Sequence, residues 1–133
     1  MKSMPMAKIA AIIPAAGKGK RMGEQGNKLL LELAGIPILV YTIAIFEACP
    51  LISEIVIPTT SQDIPSVRKI VDANGFTKVK NIVEGGSERQ ESVARALAAL
   101  SGSSDKVVVH DGARPLLALP ELEAFLTEAL DCQ

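Results

Sequence analysis

The segment Ile13-Pro14-Ala15-Ala16-Gly17-Lys18-Gly19-Lys20-Arg21-Met22-Gly23, followed by Asn27-Lys28, gathers the residue types best suited to holding a polyphosphate. Three glycines and three cations fall within the seven positions from Gly17 to Gly23. Glycines let a backbone bend and approach a ligand closely, and cations fixed in such a bend make charge-assisted hydrogen bonds to phosphate oxygens. From Gly17 to Lys28 the cations are Lys18, Lys20, Arg21 and Lys28, against Glu24 alone. A triphosphate is the natural counterpart.

Two other clusters carry polar chemistry. In Glu84-Gly85-Gly86-Ser87-Glu88-Arg89-Gln90-Glu91-Ser92, the spacing of Ser87 and Gln90 is that of a capping box at a helix start. Capping accounts for those two residues but not for a pair of glycines, since one would serve the turn. Close backbone approach at Gly85 and Gly86, with Arg89 and Ser92 on the first helical turns, suits a planar polar group such as a base. In His110-Asp111-Gly112-Ala113-Arg114-Pro115, Asp111 either caps a helix or pairs with Arg114, or it meets a Mg²⁺. A phosphate-bound Mg²⁺ takes only one or two protein carboxylates and keeps its waters. His110 is expected to pack or hydrogen-bond at a strand end rather than act as a base.

Other glycine-loop chemistries fit less well. A dinucleotide-binding turn, G-x-G-x-x-G, would accept Gly17 and Gly19, but Met22 stands where its third glycine belongs. That turn holds a pyrophosphate by backbone amides and a helix N-terminus, and it has no need of clustered cations. The pattern G-x-x-x-x-G-K-[ST] is absent.

These loops need a scaffold, and the chain alternates strand and helix signals. Ile9 to Ile13, Glu54 to Pro58, Val79 to Val83 and Lys106 to His110 are short and apolar, the pattern of fully buried parallel strands. Between them, Val67, Ile70 and Val71 share a helical face that begins near Asp63 to Pro65 and stops at Asn74-Gly75. Val93, Ala96, Leu97 and Leu100 make a second face, introduced by Ser87. Pro120, with Glu121 and Glu123 in its first turn, opens a helix whose core face is Leu122, Phe125, Leu126 and Leu130. Pro37 to Cys49 is rich in β-branched residues, yet its length and bordering prolines favour a helix with Pro37 at its first position.

The resulting β-α-β-α-β-α-β-α order implies an α/β fold, doubly wound, with a mostly parallel sheet and helices on both faces. Ligands in such sheets bind beyond the carboxyl ends of the strands, where strand order reverses. The basic loop follows the first strand and Asp111 follows the fourth. If those strands are neighbours, the loop and the carboxylate face one crevice.

Composition sets the outer bounds. With 133 residues and 48% hydrophobic content the chain fits one domain with a real core. A net charge of −1 argues against nucleic-acid binding through summed charge. Cys49 and Cys132 are far apart and in no metal spacing, which suggests reduced thiols and a cytoplasmic location. No apolar run approaches the ~20 residues of a membrane span, and Pro14 interrupts the first one before it resembles a signal peptide. Residues 1–7 read as a disordered or expression-derived start.

At these residues the chain resembles the 2-C-methyl-D-erythritol 4-phosphate cytidylyltransferases of isoprenoid biosynthesis. The resemblance rests on Pro14-Ala15-Ala16-Gly17-x-Gly19-x-Arg21-Met22, Asn27-Lys28, Gly85-Gly86-x-x-Arg89-x-x-Ser92 and His110-Asp111-x-Ala113-Arg114-Pro115, in order and with matching spacing. It implies a Rossmann-like nucleotidyltransferase fold, CTP and a sugar-alcohol phosphate as substrates, and Mg²⁺. It also implies that Arg21 and Lys28 are the catalytic cations, and that Ala15, Ala16, Gly17 and Gly19 lie in the nucleotide loop. Gly86 and Ser92 match groups that recognise cytosine, with Gly85 and Arg89 in the same base-side motif. Asp111 matches the contact to metal and sugar phosphate, followed by Arg114. Asn27 stands where many relatives have proline.

The resemblance covers a little more than the first half of a typical member, through the fourth strand and its helix. The second half of a family member supplies further strands, a dimer-forming arm and another phosphate-binding lysine. The expectation is therefore the nucleotide-binding part of a cytidylyltransferase domain, an inactive fragment by itself, with Val107, Val108 and Val109 on a sheet edge that can pair with another chain. Ribitol-5-phosphate cytidylyltransferases are the next nearest family. A non-catalytic nucleotide-binding or assembly module is the alternative outside enzymes.

Overall fold

The computed structural model describes residues 8–15, 30, 32–33, 35–102, 104–110, 123–124 and 126–127. A sheet of four parallel strands forms the centre: β1 (Ile9–Ile12), β4 (Ile52–Thr59), β5 (Val79–Glu84) and β6 (Lys106–Val109), in the order β5-β4-β1-β6. Helices α1 (Ile38–Ala48), α2 (Ile64–Asn74) and α3 (Arg89–Ala98) form the crossovers. The chain steps outward from β1 to β4 and β5, then returns past both to place β6 on the other side of β1. Strand order thus reverses between β1 and β6, the expected neighbours.

Side-chain alternation assigns the helices to faces. Ile9, Ala11, Ile55 and Ile57 point to the larger core, where Leu39, Ile43 and Phe46 of α1 and Val67 and Val71 of α2 meet them. Ile12 and Val56 point the other way, to Ala96 of α3. Right-handed crossovers require this split, because the reversal before β6 sends its connection over the opposite face. β1 and β4 are central and covered on both sides, so alternation of polarity vanishes and the strands read as apolar runs.

β5 and β6 depart from the fully buried strands expected. Among the described residues they are the two edges of this sheet, and each keeps exposed positions. Val107 and Val109, 40% and 38% exposed, pair with Ala10 and Ile12 and so lie on the α3 face. Helix α3 lies mainly over β4. Leu97, expected in the core, is 46% exposed on α3.

Helix ends follow their chemistry with small shifts in frame. Gly75 closes α2 at φ 66°, a left-handed position where glycine carries no Cβ penalty. Pro37 is the residue before α1 rather than its first. It also ends a small antiparallel hairpin not expected from the sequence, β2 (Glu32–Leu33) and β3 (Ile36–Pro37), turned by Gly35 at φ 83°. The carboxylate of Glu47 at the end of α1 accepts hydrogen bonds from the Thr77 and Lys78 amides, both at 3.0 Å, and so positions the start of β5. Of the expected last helix, residues 123–124 and 126–127 are helical, and Leu126 is fully buried in the larger core. Pro120, Glu121, Leu122, Phe125 and Leu130 lie outside the described residues, as do residues 1–7 and Cys132. Cys49 is buried and free. No helix among the described residues is long and apolar enough to cross a membrane.

Candidate active site at the carboxyl edge of the sheet

Backbone hydrogen bonds lace the carboxyl edge together. His110, just after β6, donates its amide to Ile12 O at 3.0 Å. Beyond β1, Ile13 N donates to Val56 O at 3.0 Å and Ala15 N to Pro58 O at 2.9 Å. Thr59, the last residue of β4, accepts from Gly85 N at 2.7 Å, and its Oγ1 donates to Ala15 O at 3.1 Å. Ala15, Thr59, Gly85 and His110 therefore line one rim.

The structure brings two of the three polar clusters to this rim by their described ends. Ala15 is fully buried, and its amide is engaged by Pro58. Ala16, Gly17, Gly19, Arg21 and Lys28 lie outside the described residues, and so do Asp111 and Arg114. Their flanks are described: β1 and β6 are adjacent and parallel, so the segments after Ala15 and after His110 leave neighbouring strand ends.

The His110 ring lies 5.3 Å from the Phe46 ring, centroid to centroid and tilted by 47°. That is the expected packing role.

The base-side cluster is described completely. Gly85 and Gly86 follow β5, and Arg89 opens α3 with its side chain exposed. Ser92, buried on the first turns of α3, accepts the Gly86 amide on Oγ at 3.0 Å. A Cβ on Gly85 would stand 2.6 Å from that Oγ, while one on Gly86 would collide with the side chain of Glu91. Close packing thus accounts for Gly85, whereas at Gly86 the obstacle is an exposed side chain that can move.

The capping box expected from Ser87 and Gln90 does not form. Glu88 occupies the cap and makes no side-chain cap bond. Glu91, the third helical residue, reaches back to Ser87, accepting its amide at 3.2 Å and its hydroxyl at 3.4 Å. The Ser87 amide holds the Glu91 carboxyl below its ordinary value, with desolvation opposing and Arg95 helping. Arg95 pairs with Glu91 at 3.1 Å and also reaches Glu84 O and Gly85 O, each at 3.4 Å.

Thr59 and Arg95 were not singled out by sequence reasoning. A threonine at a strand end looks like ordinary β propensity, and an arginine in mid-helix like a solvated face. Among the described residues no group of three or more His, Cys, Asp or Glu is placed to hold a metal.

A family model described as 2-C-methyl-D-erythritol 4-phosphate cytidylyltransferase matches residues 9–133. The chain belongs to that family. The enzyme of that name from Geotalea uraniireducens is 46% identical over 113 residues, which are 83% of this chain and 48% of the relative. The one from Symbiobacterium thermophilum is 46% identical over 123 residues, 92% of this chain and 50% of the relative. A crystal structure of 4-diphosphocytidyl-2C-methyl-D-erythritol synthase from Anaerococcus prevotii matches with a TM-score of 0.76 at 28% identity, covering 96% of this chain and 52% of that one. The chain spans about half the length of the curated relatives it matches. Its parallel sheet with helices on both faces is the Rossmann-like fold of these nucleotidyltransferases.

Proposed function

We propose that this chain is the nucleotide-binding part of an enzyme that transfers a cytidylyl group from CTP to 2-C-methyl-D-erythritol 4-phosphate and releases pyrophosphate in the cytoplasm. The adjacency of β1 and β6 at the switch point carries the reading, because the cation-bearing loop and the Asp111 segment leave the sheet side by side there. The relatives' name supports the substrate pair.

In this reading the acceptor phosphate attacks the α-phosphorus of CTP in line, and pyrophosphate departs. A phosphate monoester has its second pKa near about 6, so the nucleophile is already an anion and needs no strong base. The barrier is one of charge: a dianion must approach a triphosphate, and negative charge must then be accommodated around phosphorus. Arg21 and Lys28 neutralise that charge. Ala16, Gly17 and Gly19 supply loop backbone, with Ala15 as its anchor. Gly85, Gly86, Arg89 and Ser92 form the base side. Asp111 orients the acceptor and, with Arg114, closes the phosphate side. A lone hard carboxylate beside a triphosphate fits Mg²⁺, so Asp111 would hold that ion together with the nucleotide's own oxygens. Mg²⁺, when bound, supplies further charge neutralisation.

The test is Mg²⁺-dependent pyrophosphate release from CTP, with methylerythritol phosphate or ribitol 5-phosphate as acceptor. It is run on the 133-residue chain and on any longer product of the same gene. Turnover with methylerythritol phosphate supports the proposal. Turnover with ribitol 5-phosphate alone reassigns the acceptor, and CTP binding with no turnover in either protein makes the chain a binding module.

A further inference from the structure

Thr59 touches both flanks of the proposed nucleotide site. It is fully buried at the end of β4, between β1 and β5. Its hydroxyl donates to Ala15 O at 3.1 Å, and its carbonyl accepts Gly85 N at 2.7 Å. One residue before it, Pro58 O accepts Ala15 N at 2.9 Å. One residue after Gly85, the Gly86 amide donates to Ser92 Oγ at 3.0 Å. A continuous relay runs Ala15, Thr59, Gly85, Gly86, Ser92.

Strand propensity and volume do not account for the hydroxyl, since valine has the same shape and suits a buried strand at least as well. A buried hydroxyl costs free energy unless it is hydrogen-bonded. Its bond to Ala15 spans 44 residues of sequence and ends where the cation-bearing loop begins. The base-side glycines begin at the other end of the same residue.

We infer that Thr59 is a positioning residue, fixing the distance between the phosphate-side and base-side halves of the nucleotide site. This rests on the nucleotide reading above. Thr59 does not itself touch ligand. A ligand that engages both halves depends on their separation, whereas a ligand that engages one half does not.

The experiment titrates the chain with CTP and with pyrophosphate, each with Mg²⁺, by calorimetry, for wild type, Thr59→Val and Thr59→Ser. Loss of one positioning bond is expected to weaken CTP about tenfold in Thr59→Val while leaving pyrophosphate within about twofold. Thr59→Ser, which keeps the hydroxyl, is expected to restore most of the CTP affinity. Equal CTP affinity in wild type and Thr59→Val overturns the inference alone. Parallel weakening of both ligands also overturns it, because that is the mark of a general structural defect. A wild type that binds CTP but not pyrophosphate does so as well, since the phosphate side then has no affinity to preserve. A wild type that binds neither ligand overturns the nucleotide reading itself. If Thr59→Val loses its folded circular dichroism spectrum, Thr59→Cys, close in size to threonine and a weaker donor, is read by the same criteria.

Discussion

A methyl group on Gly85 would stand 2.6 Å from the hydroxyl oxygen of Ser92 and 3.2 Å from its Cβ. Ser92 is buried against the sheet, so it has little room to withdraw. Gly86 differs, because the group that its Cβ would meet is the side chain of Glu91, which is exposed and free to swing outward. Gly85→Ala is therefore expected to destabilise the chain by about 1–3 kcal/mol, the usual range for overpacking. Gly86→Ala should cost under about 1 kcal/mol, chiefly through the lost Ser87–Glu91 contacts. Urea denaturation of both variants checks the order, and a larger loss for Gly86→Ala would refute the packing argument.

The Glu91 carboxyl gives this corner a pH dependence. Its pKa is held below the ordinary 4.5 first by the Ser87 amide and then by Arg95, with desolvation opposing. A depressed carboxylate contributes stability that is fully present above its unfolded value and disappears as pH falls through the folded one. Glu91→Gln should therefore melt at a lower temperature than wild type near neutral pH, with the gap closing in acid below the carboxylate range. The effect is small, since both partners of the Arg95–Glu91 pair are about half exposed, at 47% and 46%. A gap that persists unchanged in acid would show that the charge on Glu91 is not its cause.

The strands and crossover helices were legible because burial on two faces writes itself into composition, and helical burial into a 3.6-residue period. Ile9 to Ile13 and Glu54 to Pro58 read as strands, although β4 runs further at both ends, and Gly75 marked the end of α2 by its own conformational freedom. The β2–β3 hairpin was invisible because two-residue strands have no period to detect. The cap of α3 falls on Glu88, one residue after Ser87, because Ser87 is held by Glu91 and does not cap the helix itself, a choice that spacing alone does not reveal. Thr59 and Ala15 meet across 44 residues, a relationship of topology that no local pattern encodes.

Edge exposure predicts how the chain behaves at high concentration. β6 is short, ends its sheet, and turns Val107 and Val109 toward solvent on one face. A short edge strand with apolar side chains turned to solvent is a template for strand pairing. The 133-residue chain is therefore expected to self-associate, and Val109→Lys to reduce that association by placing a charge at the contact. Sedimentation velocity over a range of concentrations measures it. A wild-type chain that stays monomeric, or a variant that associates equally, removes β6 as the contact.

On the proposed reading, Arg21 and Lys28 differ from Gly85, Gly86, Arg89 and Ser92 in the kinetic constant they change. Cations that meet charge only as it develops at phosphorus act on the transition state, whereas groups holding cytosine act on ground state and transition state alike. In an active form of the protein, Arg21→Ala or Lys28→Ala should lower kcat by ~10²–10³, the usual loss for one well-placed electrostatic group, with a smaller change in KM for CTP. Ser92→Ala should do the reverse, raising KM for CTP with kcat largely kept, because it frees the Gly86 amide from its 3.0 Å bond and loosens the loop that would face the base. Steady-state rates at saturating acceptor decide between them. Near-normal kcat in both cation variants would leave the loop a binding element only, and a kcat defect in Ser92→Ala would place the reacting phosphorus nearer to α3 than the strand order implies.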